Sequence, residues 1–177
     1  MKKTIALTVI ITLLLVAVGA FSVNYVLHGS WKPRPQGEPT PVPNGEGWIN
    51  LLTDEQIPFW KNITDNNGIF EIQNGELHIF GESVTKLRYA AYTSREFGDF
   101  DLHLEFRLAK GTNSGVFLHV KENDPVRRGF EVQVLDDCGR APSMTGTGGI
   151  YDVATPMYNL ARPAGEWNSY DISLRGK

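Results

Sequence analysis

From Asp99 to His119 the chain reads DFDLHLEFRLAKGTNSGVFLH, and the beginning of this stretch leaves little choice of conformation. Phe100, Leu102, Leu104, Phe106 and Leu108 alternate with Asp101, His103, Glu105 and Arg107. Successive side chains of a strand point to opposite faces. A period of two therefore puts the apolar groups on one side and the polar groups on the other. A Gly/Asn/Ser turn follows, then a second strand, VFLHV. A merely solvated strand face usually carries Lys, Thr and Ser. Two acids, a histidine and an arginine on one face are equipped for chemistry.

The same period recurs elsewhere. In GIFEIQNGELHIFG, Phe70 and Ile72 precede Asn74-Gly75, and Leu77 and Ile79 resume after it. Asn-Gly between alternating runs predicts a tight hairpin. Strands are also expected in GWIN, around LRYAAYTS, in FEVQVLDD, in GIYDV and in WNSYDISLRG. DCGRAPSMTGTGG, residues 137–149, reads as a long polar loop. No segment of ten or more residues carries a helical stripe. The fold class expected is an all-β sandwich.

Comparing faces yields a candidate site. Core-facing Leu104, Val116, Leu118, Val132 and Val134 leave His103, Glu105 and Arg107 outward on one strand. They leave Gly115, Phe117 and His119 outward on the next, and Glu131 and Gln133 on the third. If the three strands are neighbours, these groups form one polar wall around an aromatic ring. Such a wall suits a carbohydrate, with hydrogen bonds to hydroxyls and stacking on the apolar sugar face. Glu131 and Glu105 could share base and acid roles, with His103 as an alternative acid. Arg107 and Gln133 would orient a substrate oxygen. Tyr151 and Trp167 are further stacking candidates, although Trp more often anchors a core. A polar outer face with ordinary cross-strand pairs accounts for the same pattern about as well. A divalent metal ion is optional, because no ligand spacing specifies one.

Lys2-Lys3 precedes an uncharged run from Thr4 to Leu27, densest over Ile5 to Phe21. That length lies between a secretory h-region and a membrane span. Residues 1–27 are therefore read as a membrane anchor or signal peptide lying outside the fold. The expected location of the rest is exported: anchored at the membrane, or periplasmic or secreted after cleavage. Residues 28–46, with Pro33, Pro35, Pro39, Pro41 and Pro43, read as an extended linker. The domain occupies 47–177. A net charge of −3 without a basic patch argues against nucleic acid as partner. Cys138 is the only cysteine, so no internal disulfide or cysteine zinc cluster is available.

Taken together, GWINLL, DFDLHLEFRL, NSGVFLH, GFEVQVLDD, TGGIYD and PAGEWNSYDI resemble the 3-keto-disaccharide hydrolase domain family, over roughly residues 46 to 177. The resemblance implies a concanavalin A-like jelly-roll sandwich with its site on the concave sheet. It also implies an oxidised disaccharide or glycoside as substrate, with Asn113 of the NSG motif among the sugar-contacting residues. The family usually has Arg where this chain has His119. It also continues beyond Arg175-Gly176-Lys177 into further strands, so a sheet lacking C-terminal strands is expected. The alternative function is a non-catalytic carbohydrate-binding module. A structural β-domain ranks third.

Overall fold

A computed structural model describes residues 38–63, 69–81, 89–121 and 123–176, and the backbone of residues 3–13. The strands are β1 (Lys3–Leu13), β2 (Trp48–Asn50), β3 (Trp60–Asn62), β4 (Phe70–Gln73) and β5 (Glu76–Gly81). They continue with β6 (Ala90–Tyr92), β7 (Phe100–Arg107), β8 (Asn113–Leu118), β9 (Phe130–Leu135) and β10 (Trp167–Leu174). The one α-helix among the described residues, α1, is a single turn, Pro125–Arg128, capped by the Asp124 carboxylate. The fold is an all-β sandwich, as the alternating patterns predict.

The main sheet has the order β10-β7-β1-β5-β4, with β2 alongside β1. β10 pairs antiparallel to β7, from Trp167 opposite Arg107 to Leu174 opposite Phe100. β4 and β5 form the expected hairpin, and Asn74 and Gly75 both take positive φ (53° and 74°). Two ribbons complete the architecture, β8-β9 and β3-β6.

One core joins the layers. Leu102, Leu104 and Phe106 of β7 are buried in the same cluster as Leu118, Val132 and Val134 of the β8-β9 ribbon. Complete burial of Leu104 or Phe106 contributes roughly 1.5–3 kcal/mol each. Tyr170 lies opposite Leu104 in β10, on the core face. Its hydroxyl crosses the sandwich and donates to the Gln133 carbonyl of β9 at 2.6 Å. The β8-β9 ribbon is therefore stacked on the main sheet.

Two expectations are corrected. First, β7 and β8 do not pair. The chain turns through Ala109–Thr112, with Gly111 at φ 78°, and crosses from one layer to the other. Second, GIYDV forms no strand. Ile150 makes an isolated bridge to Val132, and the chain then turns through Asp152 at φ 56°. Lys3–Leu13, part of the run read as an anchor or signal peptide, pairs as a strand of the main sheet. It lies parallel to β7 over Lys3–Thr8 and parallel to β5 over Val9–Leu13. A run rich in Ile, Val and Thr has the composition of a parallel strand as well as of a membrane helix. In β1 it occupies open edges of β5 and β7. Residues 14–37, with the rest of that run and much of the Pro-rich linker, lie outside the described residues. No helix among the described residues is long and apolar enough to cross a membrane.

Candidate functional site

The stacking of layers divides the expected polar wall. The core faces of β7 and of β8-β9 point toward each other, so their polar faces point away from each other. β7 is hydrogen-bonded to β1 and β10, with neither β8 nor β9 as neighbour. Glu105, His103 and Arg107 consequently occupy the outer face of the main sheet. Gly115, Phe117, Glu131 and Gln133 occupy the outer face of the ribbon.

The main-sheet residues are held structurally. His103 is 0% exposed, and its ring Nδ1 lies 2.7 Å from the Asp171 carboxylate on the facing position of β10. The Arg107 guanidinium stacks 5.1 Å from the Trp167 ring, its direct cross-strand partner. That contact uses one face of Trp167, an expected sugar platform. Glu105 lies opposite Ser169.

The ribbon face carries a different constellation. In the antiparallel register Phe117 lies opposite Glu131, and Gly115 lies opposite Gln133. Glu131 folds its side chain diagonally onto the bare backbone of Gly115. A Cβ at position 115 would overlap Glu131 Oε1 and come within 2.6 Å of its Cγ and Cδ. Glycine is thus needed here for space rather than for an unusual φ. The carboxyl is half-buried, and desolvation pushes its pKa above the usual carboxylate range. A carboxyl shifted in this direction is suited to exchanging a proton near neutral pH.

Tyr89, which sequence reasoning read only as part of a strand, completes the cluster. Its ring meets Phe117 edge-on at 5.3 Å. Its hydroxyl is buried and meets no hydrogen-bond partner among the described residues. Desolvation raises the phenol pKa, and the Glu131 and Asp124 charges raise it further. Near neutral pH this group is therefore a proton donor. Its only sequence signal was an aromatic residue at the entry to a short strand. A partnerless hydroxyl cannot be read from spacing.

Gln133 serves a different purpose from the one expected. It is 2% exposed, and its amide donates to the Thr145 carbonyl at 3.2 Å while accepting from the Val134 N–H at 3.0 Å. The side chain ties loop 143–149 to β9. The same loop lines the free edge of β9. Gly148 N donates to Gln133 O, Gln133 N to Gly149 O, and Tyr151 N to Glu131 O. Thr147 binds the Leu135 backbone through both its donor and acceptor capacities. Buried Asp137 accepts from Thr147 N at 3.0 Å. This anchoring sets Tyr151 next to Glu131 along the chain edge, with its side chain exposed.

Asn113 shares the ribbon face with Gly115 and Phe117 and is exposed. His119 lies just beyond β8, exposed and at φ 56°, a left-handed conformation that histidine adopts more readily than most non-glycine residues. Among the described residues, no group of three or more His, Cys, Asp or Glu side chains could hold a metal ion.

Residues 47–177 match the 3-keto-alpha-glucoside-1,2-lyase-like domain family. The chain belongs to this family. A 3-keto-disaccharide hydrolase of Bacteroides thetaiotaomicron is 29% identical over an alignment of 99 residues that covers 46% of this chain and 34% of that protein. The match thus spans about a third of that relative's length. A solved structure of a candidate glycosyl hydrolase from Parabacteroides distasonis is 30% identical, with a TM-score of 0.44. It covers 48% of this chain and 46% of the other. At family level this is a glycosyl hydrolase-like domain. The motifs flanking Glu131 (NSGVFLH and GFEVQVLDD) lie inside the family match.

Proposed function

We propose that this domain is a carbohydrate-active hydrolase that opens 3-keto-glycosides by acid/base chemistry centred on Glu131. The observation that carries the reading is the half-buried carboxyl of Glu131, laid over Gly115 beside the Phe117 and Tyr89 rings.

A ketone at C3 acidifies the proton on C2. Glu131 takes that proton, and the electron pair closes the C1–C2 double bond as the C1–O bond breaks. The leaving oxygen takes a proton from an acid, the role given to Tyr89. Water then adds at C1, and the proton returns to C2, leaving a free 3-keto sugar. Elimination across C1 and C2 agrees with the 1,2-lyase description of the family. Phe117 and Tyr151 offer apolar faces to the sugar ring. A raised carboxyl pKa matches a base that must also return its proton. Glu105 and His103 have no part in this scheme, because they belong to the opposite layer. Lys2-Lys3 ahead of the apolar run is the pattern of an export segment, whereas Lys3–Leu13 pairs in the sheet; fractionation of expressing cells with N-terminal sequencing of the product decides between the two.

Incubation with a 3-keto-disaccharide, followed by NMR, tests the proposal. Glu131→Gln and Tyr89→Phe should each lower turnover, Glu131→Gln by about 10²–10⁴-fold. One observation favours a non-catalytic binding module: the second carboxylate expected beside Glu131, Glu105, lies on the far face. Sugar binding by calorimetry with no product from any oxidised glycoside would select that reading.

A further inference from the structure

A cavity of about 360 Å³ lies where the last linker residues meet β10 and the 147–148 loop. Its wall includes Glu38, Thr40, Thr147, Tyr158, Arg162 and Ser169. The volume lies in the range of small-molecule sites. Ser169 belongs to β10, away from the Glu131 cluster on the ribbon's outer face, and the mechanism above uses none of these groups.

The cavity is held by a carboxylate and an N–H from the linker. Glu38 lies 3.7 Å from one Arg162 nitrogen, and Glu166 lies 3.7 Å from the other. Both separations are ion pairs longer than a hydrogen bond. The Thr40 N–H donates to Ser169 Oγ at 2.9 Å. The two partners differ sharply in setting. The Arg162 side chain is 16% exposed, whereas that of Glu38 is 94% exposed. A mostly buried guanidinium keeps its place in the fold, and a solvated linker carboxylate is easily exchanged. Guanidinium geometry favours planar carboxylates. A carboxylate that replaces Glu38 leaves the local charge unchanged. A neighbouring hydroxyl of the same molecule can take the Ser169 Oγ position vacated by Thr40.

We propose that this cavity is a subsite for a uronic acid, with Glu38 as its tethered stand-in. The sugar carboxylate pairs with Arg162, and a ring hydroxyl hydrogen-bonds to Ser169. The sugar part of this proposal rests on the carbohydrate reading above. The carboxylate part rests on Arg162 and Glu38 alone.

The test is calorimetric titration of the full chain with methyl glucuronide, methyl glucoside and acetate. The glucuronide should bind at least about tenfold more tightly than either comparator, because only it presents both groups. Glu38→Gln removes a tethered competitor from an exposed position, so affinity should rise by roughly 3–10-fold. Arg162→Lys keeps the charge and loses the planar fork, so affinity should fall about tenfold. Glu131→Gln should abolish turnover and leave this binding unchanged, which separates failure of the subsite from failure of the hydrolase reading. Equal binding of glucuronide and either comparator would overturn the proposal. Unchanged affinity in Glu38→Gln would do the same.

Discussion

Glu131 rests on Gly115: its Cγ and Cδ come within 2.6 Å of where any Cβ at position 115 would stand. The carboxyl thus lies along the strand surface, beside Phe117, in a place only glycine leaves open. Gly115→Ala should push the carboxyl outward and hydrate it. Steady-state kinetics should show kcat/KM lower by about 10–100-fold, with the fold intact by circular dichroism. Wild-type kinetics in this variant would mean that the contact has no bearing on activity.

The raised pKa of Glu131 has a cost in stability. The folded protein keeps the Glu131 proton to higher pH than the unfolded chain does. Between the two pKa values the folded state binds more protons, so stability falls as pH rises through that window. Above it, a desolvated carboxylate is retained at constant penalty. The effect is modest, because the group is half exposed to screening solvent. Glu131→Gln should therefore melt higher than wild type at pH 7, by roughly 2 °C, and lose this advantage near pH 4. Thermal melts at the two pH values check the sign.

His103 and Glu105 should separate from catalysis. His103→Ala empties a fully buried position and breaks its contact with Asp171. The expected loss is about 1–3 kcal/mol in denaturant titrations, with turnover by the folded fraction within about twofold of wild type. Glu105→Gln should leave both quantities nearly unchanged. A hundredfold loss of turnover in either variant would return these residues to the active site.

The Tyr170 hydroxyl links the two layers through the Gln133 carbonyl, which also accepts from Gly148 N at 3.0 Å. Tyr170→Phe leaves that carbonyl with one partner, so the penalty belongs at the low end, about 1 kcal/mol. Melting should fall by roughly 2–4 °C. The free edge of β9 and loop 143–149 should show faster amide exchange, because the loop is tied to the same carbonyl.

The strands were legible because their cause is local. Alternation in FDLHLEFR, FEVQVL and WNSYDISL dictates which side chains face the core, and Asn74-Gly75 supplies the positive φ of a tight turn. Which strands share a sheet has no local signature. The expectation of one wall through Glu105, Arg107, Glu131 and Gln133 failed there, since burial of Leu104 and Val134 in one shared core sends the two polar faces apart. Gln133 looked available because a solvent-facing amide and one clamping a loop have the same alternation. Gly115 was visible as bare backbone in the wall, but its pairing with Glu131 required the register. Tyr89 needed burial and a missing partner, neither of which leaves a trace in spacing.

The central claim is that Glu131 removes the C2 proton of a 3-keto-glycoside. It is tested most directly by running the reaction in D2O and reading deuterium at C2 by NMR. Wild-type protein should yield a 3-keto sugar with solvent deuterium at C2, and Glu131→Gln should give neither product nor exchange above background. Cleavage by Glu131→Gln at the wild-type rate, or wild-type product that keeps its original C2 proton, would contradict the account.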